Sequence, residues 1–111
     1  MSDPGALGAF EELVLLALVQ VGENAYGMSL RRELADRSGR DVSIGAVYST
    51  LSRLEDKGYV ASMLDESGGG RPRRIYELQQ SGREALAYTR EVRARMWDGV
   101  DLSAPGEGVG S

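Results

Sequence analysis

Arg71, Arg73 and Arg74 follow three glycines, Gly68, Gly69 and Gly70, so that fixed positive charges flank a reversal of the chain. Guanidinium groups match phosphate oxygens in geometry as well as in charge. Upstream, a helix turning about 100° per residue would bring Ala46, Ser49, Arg53 and Lys57 onto one face, with Thr50 at its edge. Small side chains with two cations can enter a duplex groove and meet base edges. Arg31 and Arg32 are further candidates for phosphate; the plain alternative is that both are solvated charges, with Arg32 pairing to Asp36 one turn on.

The remaining chemistry is sparse. The chain has neither cysteine nor histidine, which removes disulfides, the usual zinc-ligand sets, thiol nucleophiles and imidazole catalysis. Carboxylates are left, but Glu11/Glu12, Glu55/Asp56 and Asp65/Glu66 are sequence neighbours that diverge on a helix and read as solvated surface. The glycine run is not followed by the Lys-Ser or Lys-Thr of a phosphate-binding loop. Neither catalysis, nor a cofactor, nor a metal is expected.

The elements that must position these groups can be read from periodicity. Ser43 precedes Ile44, Val47, Leu51 and Leu54, a stripe that predicts a helix over about 44–57 with its apolar side in the core. Gly58 ends it, residues 59–64 read as a strand, the glycines as a flexible hairpin tip, and residues 73–78 as the returning strand. Before this unit, Phe10, Leu13, Val14, Ala17, Leu18 and Val21 form the stripe of a first helix, and Leu15, Leu16 and Val19 add apolar surface on its other sides. Such a helix needs two covers, one of which would be a second subunit. A second helix carries Met28, Leu30, Leu34 and Ala35, ends at residues 38–40, and reaches Ser43 by a connection of helix-turn-helix length.

After residue 78, Ser81 reads as the cap of a last helix with Ala85, Tyr88, Thr89, Val92 and Met96 on one stripe and Leu86 and Trp97 beside it. Such a helix has little left to pack against in its own chain, and dimerisation is its physical use. Phe10, Leu13, Val14, Leu86, Val92, Met96 and Trp97 are the expected dimer contacts. For Trp97 three fates stay open: dimer packing, the wall of a pocket for a planar ligand, or exposure. The expected fold is mainly α with a small β-hairpin wing: a winged helix-turn-helix over residues 6–79, a C-terminal dimerisation helix over 80–97, and a disordered tail over 98–111, with a frayed arm at residues 1–5.

Charge argues in both directions. A net charge of −4 is unlike the basic profile of a nucleic-acid binder. All 13 Lys and Arg residues, however, fall between Arg31 and Arg95, where ten of the 17 acids leave a net of +3. Phosphate attraction acts over roughly 8 Å at physiological salt, so a local basic face suffices. The acidic balance also favours an alternative, a winged-helix module that binds protein rather than DNA. The apolar run of residues 13–19 is far too short to span a bilayer, and no cleavable leader is visible, so a cytoplasmic location is expected.

These residues resemble a known family, the PadR-type transcriptional regulators, in particular short members with one C-terminal helix. The similarity rests on FEELVLLALV, on AYGMSLRREL with its Tyr-Gly step, on SIGAVYSTLSRLEDKGYV, and on GGGRPRRIYELQQSGREAL. Ser49 departs from the proline that many members carry after the tyrosine. The resemblance implies a homodimer on an inverted-repeat operator in double-stranded DNA, usually a repressor of its own or a neighbouring efflux, permease or detoxification gene, relieved by a small aromatic ligand near the dimer interface. It places Tyr48, Ser49 and Arg53 at the recognition surface and Arg73 and Arg74 on the wing. Tyr26 and Ser43, at the starts of the second and third helices, complete the DNA-facing set.

Overall fold

The computed structural model describes residues 5–103 as four helices and three short strands: α1 Ala9–Val21, β1 Ala25–Tyr26, α2 Gly27–Ser38, α3 Ile44–Asp56, β2 Val60–Asp65, β3 Arg73–Leu78 and α4 Gln80–Trp97. The expected arm at residues 1–5 lies outside the described residues apart from Gly5, and the expected tail does so beyond residue 103. The core is one aliphatic cluster in which Val14, Leu15 and Leu18 of α1 meet Leu30 and Leu34 of α2 and Val47, Leu51 and Leu54 of α3, closed by Val60, Tyr76 and Ala85. The apolar stripes therefore do what their spacing requires, and they orient α3 with its other side outward.

Local chemistry sets the boundaries of α3. Ser43 accepts a hydrogen bond from the Ala46 N–H at 3.0 Å. At the other end Gly58 takes φ 81°, its N–H bonding to the Glu55 carbonyl and that of Tyr59 to Leu54, both at 2.9 Å. This paired closure turns the chain directly into β2. β2 and β3 pair antiparallel from Val60↔Leu78 to Asp65↔Arg73.

Four expectations need correction. First, the wing is more than a hairpin: Ala25 and Tyr26 pair with Tyr76 and Ile75, giving a sheet in the order β1-β3-β2. Two residues are too few to carry a strand's alternation, so β1 is visible only as a tertiary pairing. Second, Ser81 does not cap α4. The N-cap is Gln79, without a side-chain bond, and the Ser81 hydroxyl donates to the Gly58 carbonyl at 2.7 Å.

Third, α4 does find partners in its own chain. Ala85 and Thr89 are buried, the Leu7 N–H donates to Thr89 Oγ1 at 2.9 Å, and Arg93 pairs with Glu12 at 2.7 Å. Gly82 allows this docking, since a Cβ there would collide with the Tyr59 carbonyl. Fourth, Val14 is 0% exposed within the single chain and so belongs to the core, not to a subunit contact. Of the other expected dimer residues, Phe10, Leu13 and Leu86 are half-buried against the core, whereas Met96 and Trp97 remain 73% and 59% exposed.

Candidate nucleic-acid interface

The outward face of α3 is built from small groups. Ser43, Gly45, Ala46, Ser49 and Ser52 are exposed along it, and Tyr48, 44% exposed, borders it on the wing side. Gly27 fixes the tyrosine's place: a Cβ there would fall on Cζ and Oη of the Tyr48 ring, so α2 can begin against that ring only with glycine. The ring is therefore half sheltered, with its hydroxyl end against buried Gly27.

Opposite this flank stands the wing. Between α3 and the wing lies a groove of about 430 Å³, lined by Tyr26, Tyr48, Arg71, Arg73 and Arg74 with glycines of the turn. Alternation along β3 sends its arginines to different sides. Arg74, on the side of buried Tyr76, donates to Ser62 Oγ at 3.0 Å, and Ser62 donates to Glu55 at 2.8 Å, so a serine and a carboxylate of α3 steady the wing arginine. Arg73, on the other side, lies over the Tyr26 ring with 4.3 Å between guanidinium carbon and ring centroid. The turn is not without order: Asp65 Oδ1 accepts from the Ser67 N–H and hydroxyl at 3.1 and 2.6 Å, which holds the Asp65 carboxyl below its usual pKa.

Electrostatics follow the same layout. The Tyr26 hydroxyl accepts from Arg32 at 3.2 Å; that bond, with the charges of Arg32 and Arg73, outweighs desolvation and lowers the phenol's pKa. Burial pushes Tyr76 the other way.

Several expected site residues are placed elsewhere. Thr50 is 2% exposed and accepts from Arg53 at 3.1 Å, because α1, α2 and β2 all pack on α3 and cover a wider sector than the stripe alone suggests. Arg31 is turned inward: its Nε donates to the Val42 carbonyl at 2.7 Å and it reaches Asp41 at 3.4 Å, tying down the α2–α3 connection. Lys57 pairs with Glu11 of α1 at 2.9 Å, so its charge is compensated away from the groove. Arg53 lies between these, exposed and held to Thr50. Arg32 does not pair with Asp36; it turns to Tyr26, a partner brought near by β1 and invisible in the spacing along α2. Ser62 and Glu55, which position Arg74, and Ser52 on the α3 face also escape sequence reasoning, since serines have no distinguishing pattern.

No group of acidic side chains among the described residues could hold a metal ion, and no described helix is long and apolar enough to cross a membrane.

Residues 14–88 match the family described as the transcriptional regulator PadR-like family. The chain is 40% identical over 70 residues to the transcriptional regulator Rv3488 of Mycobacterium tuberculosis, a match covering 60% of this chain and 61% of that protein, thus less than two thirds of its length. It is similar to the solved structure of a PadR family transcriptional regulator from Eggerthella lenta, with 38% identity, a TM-score of 0.57, and 76% of this chain and 70% of that one covered. A PadR-like transcriptional regulator from Bacillus cereus superposes with a TM-score of 0.72 at 26% identity, covering 90% and 95%.

Proposed function

Because the chain belongs to the transcriptional regulator PadR-like family, we propose that it is a homodimeric repressor that binds an inverted-repeat operator in double-stranded DNA upstream of its own or a neighbouring efflux, permease or detoxification gene. It is a regulator and not an enzyme. The observation that carries the DNA reading is the groove between α3 and the wing, where Arg71, Arg73 and Arg74 line the space together with Tyr26 and Tyr48, beside the exposed small-residue face of α3. In this reading α3 lies in the major groove with Ser43, Ala46, Ser49 and Tyr48 near base edges and the backbone, Arg53 follows along the same face, and the wing contacts flanking phosphates.

The dimer reading is supported by apolar side chains left uncovered on α1 and α4, namely Leu16 and Val19 with Met96 and Trp97. A recess of about 270 Å³ bounded by Leu7, Val92, Met96 and Trp97 is the place where a small aromatic effector fits this reading, enclosed by the second subunit.

Fluorescence anisotropy of the protein with duplex DNA from upstream of its own gene, against a scrambled duplex at two salt concentrations, tests the proposal. Selective binding that weakens steeply with salt is expected. Failure to bind either duplex at low salt overturns it in favour of a winged-helix module that binds protein, the reading to which the net charge of −4 lends weight.

A further inference from the structure

The two adjacent arginines in the middle of α2 have opposite fates. The guanidinium of Arg31 is used inside the fold, on the Val42 carbonyl and on Asp41. Arg32 points outward to Tyr26, and its guanidinium carbon lies 6.0 Å from the centre of that ring. The pairing Tyr26↔Ile75 sets the same ring beside Arg73, whose guanidinium carbon lies 4.3 Å from the centroid. One phenol thus stands between two cations from different elements. Among the described residues neither cation is within ion-pair distance of a carboxylate. Asp65 is across the ladder from Arg73 and close enough for their charges to attract, but its hydrogen bonds go to Ser67 and not to the guanidinium.

The hydroxyl of Tyr26 accepts its bond from Arg32 at 3.2 Å and so keeps its own hydrogen to donate. Two guanidinium groups and one free O–H converge here, and the acceptor among them is the neutral phenol oxygen that takes one Arg32 N–H, so most of their donors lack a partner in the group. What completes them is a group with acceptor oxygens, negative charge and no hydrogen to donate.

We infer that Arg32, Tyr26 and Arg73 form a clamp for one backbone phosphodiester of the bound duplex, at the junction of α2 and the wing. The inference rests on the DNA reading above and, of the two candidate arginines of α2, assigns Arg32 and not Arg31 to the contact surface. Tyr26 has two tasks in it: it donates to the phosphate, and it spaces the two arginines. A phosphate carries no sequence, so the clamp serves affinity and register, leaving discrimination to α3.

The test uses the full chain and labelled duplexes, one from upstream of the gene and one scrambled, over a salt series. Arg32→Gln should weaken both duplexes by the same factor, about tenfold, and lower the slope of log affinity against log salt by about 0.9. Arg32→Lys keeps the charge and should keep the slope, and Tyr26→Phe should weaken both duplexes by a smaller factor. Arg31→Gln, measured beside them, should leave the slope unchanged. If Arg32→Gln binds with wild-type affinity and slope while Arg73→Gln loses both, the clamp is overturned and the DNA reading stands. If the wild-type protein binds neither duplex at low salt, the DNA reading fails and the clamp with it.

Discussion

Gly27 begins α2 at a point where the ring of Tyr48 leaves no room for a side chain. Gly27→Ala must displace a ring anchored on another helix, and it is expected to lower stability by roughly 1–3 kcal/mol, read from the denaturant midpoint. The double variant Gly27→Ala/Tyr48→Ala should cost clearly less than the two single variants added together, because removing the ring removes the clash. Strict additivity would mean that the two residues do not meet. A Tyr-Gly step at residues 26 and 27 and a tyrosine at 48 are plain in the sequence, but nothing in the spacing reveals that they touch. Thr50 and Arg31 defeat sequence reasoning for a related reason. A helical wheel gives a direction and not the width of the covered sector, and Arg31 looks free until the α2–α3 connection folds back onto it. Arg73 and Arg74 are legible as a pair of wing cations, whereas their division between Tyr26 on one side and Ser62 on the other follows from strand register.

Two adjacent carboxylates at the start of α1 hold two different helices. Glu11 pairs with Lys57 at the end of α3 and Glu12 with Arg93 of α4. Burial alone would push the Glu11 carboxyl up, but the hydrogen bonds from Lys57 and the Gly8 N–H, with the charges of Lys57 and Arg53, outweigh it, and its pKa lies below the ordinary 4.5. A depressed carboxylate pKa stabilises the fold above the unfolded value, and that contribution is lost as pH falls through the folded value. Glu11→Gln should therefore be less stable than wild type at neutral pH, and the two should converge as the pH falls through the folded value. Thermal unfolding over a descending pH series checks this; an unchanged gap throughout would contradict it. Thr89→Val should cost about 1–3 kcal/mol, because it leaves the buried Leu7 N–H without its acceptor. At neutral pH that loss should appear in a urea midpoint. Helices α1 to α4 and the strands β2 and β3 are legible because helical stripes and glycine stops are local signals. β1 is not, being defined by its partner, and neither is the docking of α4, since Ala85 and Thr89 look like any stripe until Gly82 lets the helix approach.

For the whole molecule, the balance of charge and the uncovered apolar surface point to different partners. The net charge of −4 coexists with a segment of +3 that contains the wing and α3, so non-specific attraction to DNA is expected to be weak, with specific contacts carrying more of the affinity. Met96 and Trp97 stand uncovered at the far end of α4 from its docked half. Trp97→Ala is expected to shift sedimentation from two chains toward one 12.0 kDa chain, while the melting temperature of the monomeric fold stays close to wild type. A wild-type protein that sediments as a single chain would contradict the dimer. Hydroxyl-radical footprinting of the upstream duplex joins the two halves of the proposal, since it reads the DNA surface and the symmetry of the dimer together. Two protected tracts on one face of the duplex, related by a local dyad and separated by about one helical turn or a small multiple of it, are the expected result. A single unsymmetrical tract, or no protection at a protein concentration that saturates anisotropy, would contradict it.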